Sequence, residues 1–219
     1  MVRQAQHEDL PAFYRTAELI AEGRPGAAYD PQIFREGLTG DNKLLLMLNP
    51  PHFFLLLKPL ANFKYGTVKA MMIAACLAAF AGLAYMSGVG WIMALLLATS
   101  GGAFFTFRLL NISLLIAVAL TFALINAGKR PILSGMILAL ATCKPQYGVL
   151  VPVFLIACGH WRCLVTASLA TGVLVAVSYF YFGEDLWQAY LNITSGCPPP
   201  NKMTSAPSSL SQEKSGSAV

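Results

Sequence analysis

Lys144, Pro145 and Gln146 interrupt an apolar run that begins near Ile132 and resumes through Leu150 and Val151 to Ile156. A lysine inside such a run is costly in hydrocarbon and normally faces a cavity, a partner or an anionic ligand. Snorkelling to the interface is the alternative. Pro145 ends the helical arm by removing one N–H and crowding the preceding turn. Gln146 can satisfy the freed backbone groups or bind hydroxyls. Together the three residues suit a headgroup that carries phosphate and sugar. A second group stands far upstream, where Glu8 and Asp9 open the stretch EDLPAF. A carboxylate with proline shortly after it has the form of a helix cap, and capping is the expected role of Asp9. The same position suits a general base at a membrane surface, taking the proton of an acceptor hydroxyl.

Other polar residues beside apolar runs have more ordinary alternatives. Arg108 follows the stretch FFTF and is read either as a contact for lipid phosphate or as an interfacial arginine. His52, in NPPHF, is polar packing, an acid/base group or interfacial. It has no second histidine or carboxylate at ligand spacing, so no metal site is expected there. Asn111 suits helix–helix hydrogen bonding or a ligand contact. The five cysteines have no C-x-x-C spacing and read as small apolar packing groups. No glycine-rich phosphate loop, nucleotide fold or Ser-His-Asp order is present.

These residues need elements to hold them, and the composition says which kind. Of 219 residues, 56% are apolar and 11% charged. A soluble domain carries about a quarter charged residues. The expected class is therefore all-α, a polytopic transmembrane helical bundle, with the lipid bilayer as its solvent. The net charge of +5 sits at the ends of apolar runs, where it sets orientation, and no nucleic-acid partner is expected. The polar N-terminus has no apolar h-region, so it is neither a signal peptide nor a first spanning helix. Residues 1–43 are expected to form an outer, periplasmic segment, with a short amphipathic helix through Leu10, Phe13, Ala17, Leu19 and Ile20. Residues 44–194 form the transmembrane domain, with apolar segments at 44–60, 68–86, 89–107, 109–127, 131–157 and 162–182. The Pro- and Ser-rich tail, 195–219, is expected to be disordered.

Lysines and arginines of short loops orient such a chain. The expectation puts Lys58, Lys64 and Lys69, the Lys129–Arg130 pair and Arg162 together in the cytoplasm. Glu184, Asp185 and the N-terminal segment then lie outside. This assignment has a parity conflict, which is removed if 89–107 dips in and returns, bending at Ser100, Gly101 and Gly102. Segment 131–157, bounded by basic residues at both ends, also has to enter and return. Each arm has about 12 residues, or roughly 18 Å of helix against about 30 Å of hydrocarbon. The KPQ turn should therefore lie within the membrane depth or near its outer rim, covered by protein or a water-filled cavity.

Several elements then fall into a known order. Asp9 is followed by Phe13 and Tyr14, by Glu22-Gly23-Arg24-Pro25 and by Tyr29-Asp30-Pro31. Next come Asn49-Pro50-Pro51-His52-Phe53 and Leu56-Leu57-Lys58-Pro59-Leu60. Lys129-Arg130-Pro131 with Ser134-Gly135, Lys144-Pro145-Gln146, Trp161-Arg162, Phe182-Gly183, Trp187 and Tyr190 complete the series. Over roughly 9–194 the chain resembles the bacterial membrane mannosyltransferases of glycosyltransferase family 87, of the GT-C type. That resemblance implies transfer of a hexose, usually mannose, from a polyprenyl-phosphate sugar to a glycan or glycolipid acceptor. The reaction would take place on the outer face of the bacterial inner membrane and need no cofactor or metal. It also implies that Asp9 is the base, and that Lys144 and Gln146 face the donor's phosphate and sugar; Arg108, His52 and Asn111 are expected as further substrate contacts from their own positions beside apolar runs. Asn49 stands where the family pattern has tyrosine, Lys64 where it has proline, and its GQ-N element survives only as Asn111. Relatives carry a helix before the aspartate and several more after the last segment here, so an N- and C-terminally truncated member is expected. A lipid or sugar transporter, which also uses broken helices, and a non-catalytic fragment are the competing classes.

Overall fold

The computed structural model describes residues 9–38, 46–86, 88 and 112–196. Among them every regular element is helical. Helix α1 spans Leu10–Ala21, and its Leu10, Phe13, Ala17, Leu19 and Ile20 are all buried, as their spacing predicts. A 3-10 turn over Pro25–Tyr29 leads to α2, Pro31–Glu36. Asp30 caps α2, its carboxylate accepting the N–H groups of Gln32 and Ile33 at 2.9 and 3.3 Å.

The apolar stretch 44–60 does not make one helix. Its described part is a 3-10 turn over Pro51–Phe53, a single helical turn over Phe54–Leu57 and a second 3-10 turn over Lys58–Asn62. Pro50, Pro51 and Pro59 remove the N–H groups that a continuous helix needs. Long helices then follow: α3 at Tyr65–Met86, α4 at Ser113–Asn126, α5 at Pro131–Ala141, α6 at Val151–Ala157, α7 at Trp161–Phe182 and α8 at Glu184–Ser195. Helices α3 and α7, 22 residues each, are long and apolar enough to cross a membrane. Only 17% and 11% of their most apolar stretches are buried, so neither is the core helix of a soluble domain. The expected dip at 89–107 falls outside the described residues.

Helix α5 lies along α7 at Gly135. A Cβ built there would stand 2.6 Å from Thr166 Cβ, 2.8 Å from the Cys163 carbonyl and 2.9 Å from the Ala167 nitrogen. Two of these atoms are backbone and cannot swing aside. A Gly135→Ala variant is therefore expected to lose about 1–3 kcal/mol through overpacking. Its thermal midpoint in detergent should fall, and an unchanged midpoint would contradict this close crossing.

The positions of the basic residues correct the expected orientation. Lys58 lies 4.5 Å from the centre of the Tyr181 ring, near the C-terminus of α7. Gly128, beside Lys129 and Arg130, packs against the His160 ring at the N-terminus of α7. Those ends are about 33 Å apart along the helix. Lys58 therefore does not share a face with Lys129, Arg130 and Arg162. The parity conflict came from grouping them, and it disappears. Tyr14 reaches the Phe63 carbonyl at 3.0 Å and packs edge-on against Tyr65, which puts α1 at the Lys58 end as well.

Helix α5 starts at the other end and runs 11 residues, about 16 Å. Its C-terminal corner thus stands about halfway along α7, in line with the short-arm expectation. The main core surrounds this corner. It joins Phe13 and Leu19 of α1, Phe34 of α2, Phe53 and Phe54, Ile112 and Ile116, Ala141 and Cys143, and Leu186 and Ala189 of α8.

Candidate functional site

Asp9 does not cap α1 with its side chain. Its own backbone is already helical, at φ −73° and ψ −26°, and no cap hydrogen bond forms. The Asp9 carbonyl accepts from Ala12 and Phe13 at 3.1 and 3.2 Å, which leaves the carboxylate available for another partner. That partner is Lys144, whose Nζ stands 3.6 Å from Asp9 Oδ2. The Lys144 ammonium also donates to Ser113 Oγ at 3.3 Å, at the first residue of α4. Lys144 is 8% exposed, so this charge is held inside the protein rather than carried to an interface by snorkelling. Burial raises the pKa of Asp9 above its ordinary value, although the Lys144 charge and hydrogen bond pull the other way. A carboxyl so raised is a stronger base than a solvated one.

The residues before Lys144 are tied to the 49–53 stretch. Asn49 Nδ2–H donates to the Cys143 carbonyl at 2.8 Å. Thr142 Oγ1–H donates to the Ala139 carbonyl at 2.5 Å, so that oxygen can only accept from His52 Nε2, 3.2 Å away. The hydrogen-bond pattern thereby puts the imidazole proton on Nε2 and leaves Nδ1 an acceptor. The His52 ring stacks on Trp187 of α8 with centroids 6.4 Å apart and planes at 24°. Among the described residues, His52 Nδ1 and Trp187 Nε1 are both buried without a hydrogen-bond partner. Trp187 also packs edge-on against Tyr190, which in turn contacts Tyr29.

Asp9, Lys144 and His52 are thus gathered at one corner, while Gln146 lies exposed on the single helical turn Pro145–Gly148. The readings of Arg108 and Asn111 fall outside the described residues. Asn49, Thr142 and Ser113 were not singled out as site residues in the sequence, because no local pattern marks an ordinary amide or hydroxyl whose partner is distant in the chain. Beside the corner, a groove of about 220 Å³ lies among α4, α5, α6 and α7, lined by residues including Leu138, Thr142, Pro152, Leu155 and Thr171. Among the described residues no group of three or more His, Cys, Asp or Glu could hold a metal ion.

An all-helical protein with long apolar helices and a half-buried carboxylate paired with a buried ammonium at a broken helix belongs among membrane proteins with an internal polar site. The match of residues 47–213 to glycosyltransferase family 87 makes the class specific. The chain belongs to this family and is a membrane glycosyltransferase, acting on a sugar donor and an acceptor. The match takes in the Asn49–Phe53 and Lys144–Gln146 elements and begins after Asp9 and α1. No curated protein and no solved structure matches the chain significantly.

Proposed function

We infer that this glycosyltransferase moves a hexose, mannose by preference, from a polyprenyl-phosphate sugar to a glycan or glycolipid acceptor. The acceptor would lie at the outer face of the bacterial plasma membrane. The observation that carries this reading is the Asp9–Lys144 pair: a candidate base and a candidate phosphate partner, distant in sequence, meet at 3.6 Å. The acceptor hydroxyl attacks the anomeric carbon as its proton passes to Asp9. The bond from that carbon to the phosphate oxygen breaks, and its electron pair leaves with the polyprenyl phosphate. Lys144 meets the charge that develops there. A single displacement inverts the anomeric centre.

Gln146, exposed two residues after Lys144, is the partner this reading assigns to sugar hydroxyls. A hydroxyl that accepts from Trp187 Nε1–H and donates to His52 Nδ1 would satisfy both unpartnered atoms. The groove running from Thr142 has the apolar character that an isoprenoid tail requires. On this reading the Asp9 end of the bundle faces outward, with Lys129, Arg130 and Arg162 in the cytoplasm. Lys58 then lies on the outer side, where the Tyr181 ring receives its charge.

Membranes containing the protein, given polyprenyl-phosphate mannose labelled in the sugar, should pass label to an endogenous glycan or glycolipid. A nucleotide sugar alone should give none in membranes that lack a polyprenyl-phosphate mannose synthase. Absence of transfer from every polyprenyl-phosphate sugar tried would overturn this reading.

A further inference from the structure

A helix that stops leaves its last carbonyls without helical partners. At the end of α5 some are closed locally: Thr142, Cys143 and Lys144 N–H bond the carbonyls of Ala139, Leu140 and Ala141 at 3.2, 3.3 and 3.1 Å. Pro145, the next residue, has no N–H to offer. The Cys143 carbonyl receives its donor from the Asn49 side chain, 94 residues earlier in the chain. Asn49 is itself held, because Tyr29 Oη–H donates to its backbone carbonyl at 2.5 Å. Tyr29 is 3% exposed and stacks on Phe54 with centroids 5.2 Å apart. Burial pushes its phenol pKa far up, so it stays a proton donor. This line of contacts runs from Tyr29 through Asn49 to Cys143 and ends one residue before Lys144.

We propose that Asn49 is a positioning residue for Lys144: its amide ties down the Cys143 carbonyl, in the turn just after α5, and so fixes where the ammonium stands relative to Asp9. The proposal rests on the glycosyl-transfer reading of that pair and adds a residue that acts through the backbone. A lysine side chain has four torsions of its own, so its ammonium is placed only as well as the backbone beneath it. A displacement of about 1 Å near a reacting centre can lower a rate by about 100-fold. The hydrogen bond between His52 and Thr142 is a second tie, one residue further back.

The test compares wild type with Asn49→Ala and Asn49→Asp in membranes. Aspartate has the size of asparagine, but its carboxylate cannot donate to a carbonyl. The first readout needs no activity. Cys143 is 3% exposed, and its labelling by a thiol reagent, resolved by peptide mass spectrometry, should accelerate about fivefold or more once the amide is gone. Cys158, which is exposed, serves as the reference thiol. The second readout is kcat/KM for polyprenyl-phosphate mannose, expected to fall about 10- to 100-fold. Adding Asn49→Ala to Lys144→Met should lower the residual activity little further, because the amide acts through Lys144. General destabilisation would instead add its full loss in that background. Wild-type labelling and kinetics in both single variants, or full additivity in the double variant, overturn the proposal. If the wild type transfers no sugar, the glycosyl-transfer reading fails, and the Cys143 labelling alone decides the tie.

Discussion

An Asp9→Asn variant is expected to lose sugar transfer by about 10²–10⁴-fold, the range for a positioned general base, while still accumulating in the membrane. Asparagine keeps the shape of the side chain. Its amide oxygen can still accept from Lys144 Nζ, now 3.6 Å from the carboxylate. The Asp9 backbone contacts to Ala12 and Phe13 do not involve the side chain and persist. What disappears is a group that can take a proton. The loss should fall on kcat, with donor KM changed much less, because deprotonation belongs to the transition state. Retention of wild-type turnover in Asp9→Asn, at equal protein level, would remove Asp9 from the mechanism.

A Lys144→Met variant is expected to lose about 10²–10³-fold, comparable to removing one preorganised group at a site of developing charge. Methionine roughly preserves the length and apolar stem of lysine, so the buried corner stays filled. The loss should appear both in donor KM and in kcat, since phosphate is charged before and after the bond breaks. The residual activity carries a second signature. Asp9 works as a base only when ionised, so activity is present above its pKa and fades as pH falls through it. Burial has already raised that pKa, and Lys144 is the group pulling it back down. Without Lys144 the pKa rises further, and the acid limb of the pH–rate profile should move to higher pH. A limb that stays in place would mean that the two side chains are not coupled during turnover.

The broken helix was legible in the sequence because Lys144 and Pro145 violate the apolar pattern around them, and a violation of that kind is local. The buried face of α1 was legible for the same reason: Leu10, Phe13, Ala17, Leu19 and Ile20 lie at helical spacing. Asp9 was misread as a cap because EDLPAF looks like a helix start, whereas the chain enters the helical region at Asp9 itself. The cap in this part of the chain is Asp30, before its own proline. The pairing of Asp9 with Lys144 could not be read from either neighbourhood, since nothing near residue 9 encodes what approaches it from residue 144. Grouping Lys58 with Lys129, Arg130 and Arg162 failed because a count of charges does not say which end of α7 each loop packs against, and the Tyr181 contact puts Lys58 at the far end. In the sequence Asn49 is only a departure from a family pattern; in the fold its amide holds the Cys143 carbonyl just after α5.

The core around the corner draws on α1 and on α8 alike, and Trp187 and Tyr190 of α8 are the rings that meet His52 and Tyr29. Ribosomal synthesis delivers these pieces in order, and contacts so far apart in sequence form slowly. α1 must therefore wait, its carboxylate unmatched, through the making of α3, α4 and α5. His52 and Tyr29 wait longer still, until α8 has been made. A nascent chain halted anywhere before Trp187 carries Asp9 and Lys144 yet lacks the ring that stacks on His52. The aromatic wall of the corner is thus complete only once α8 has been made.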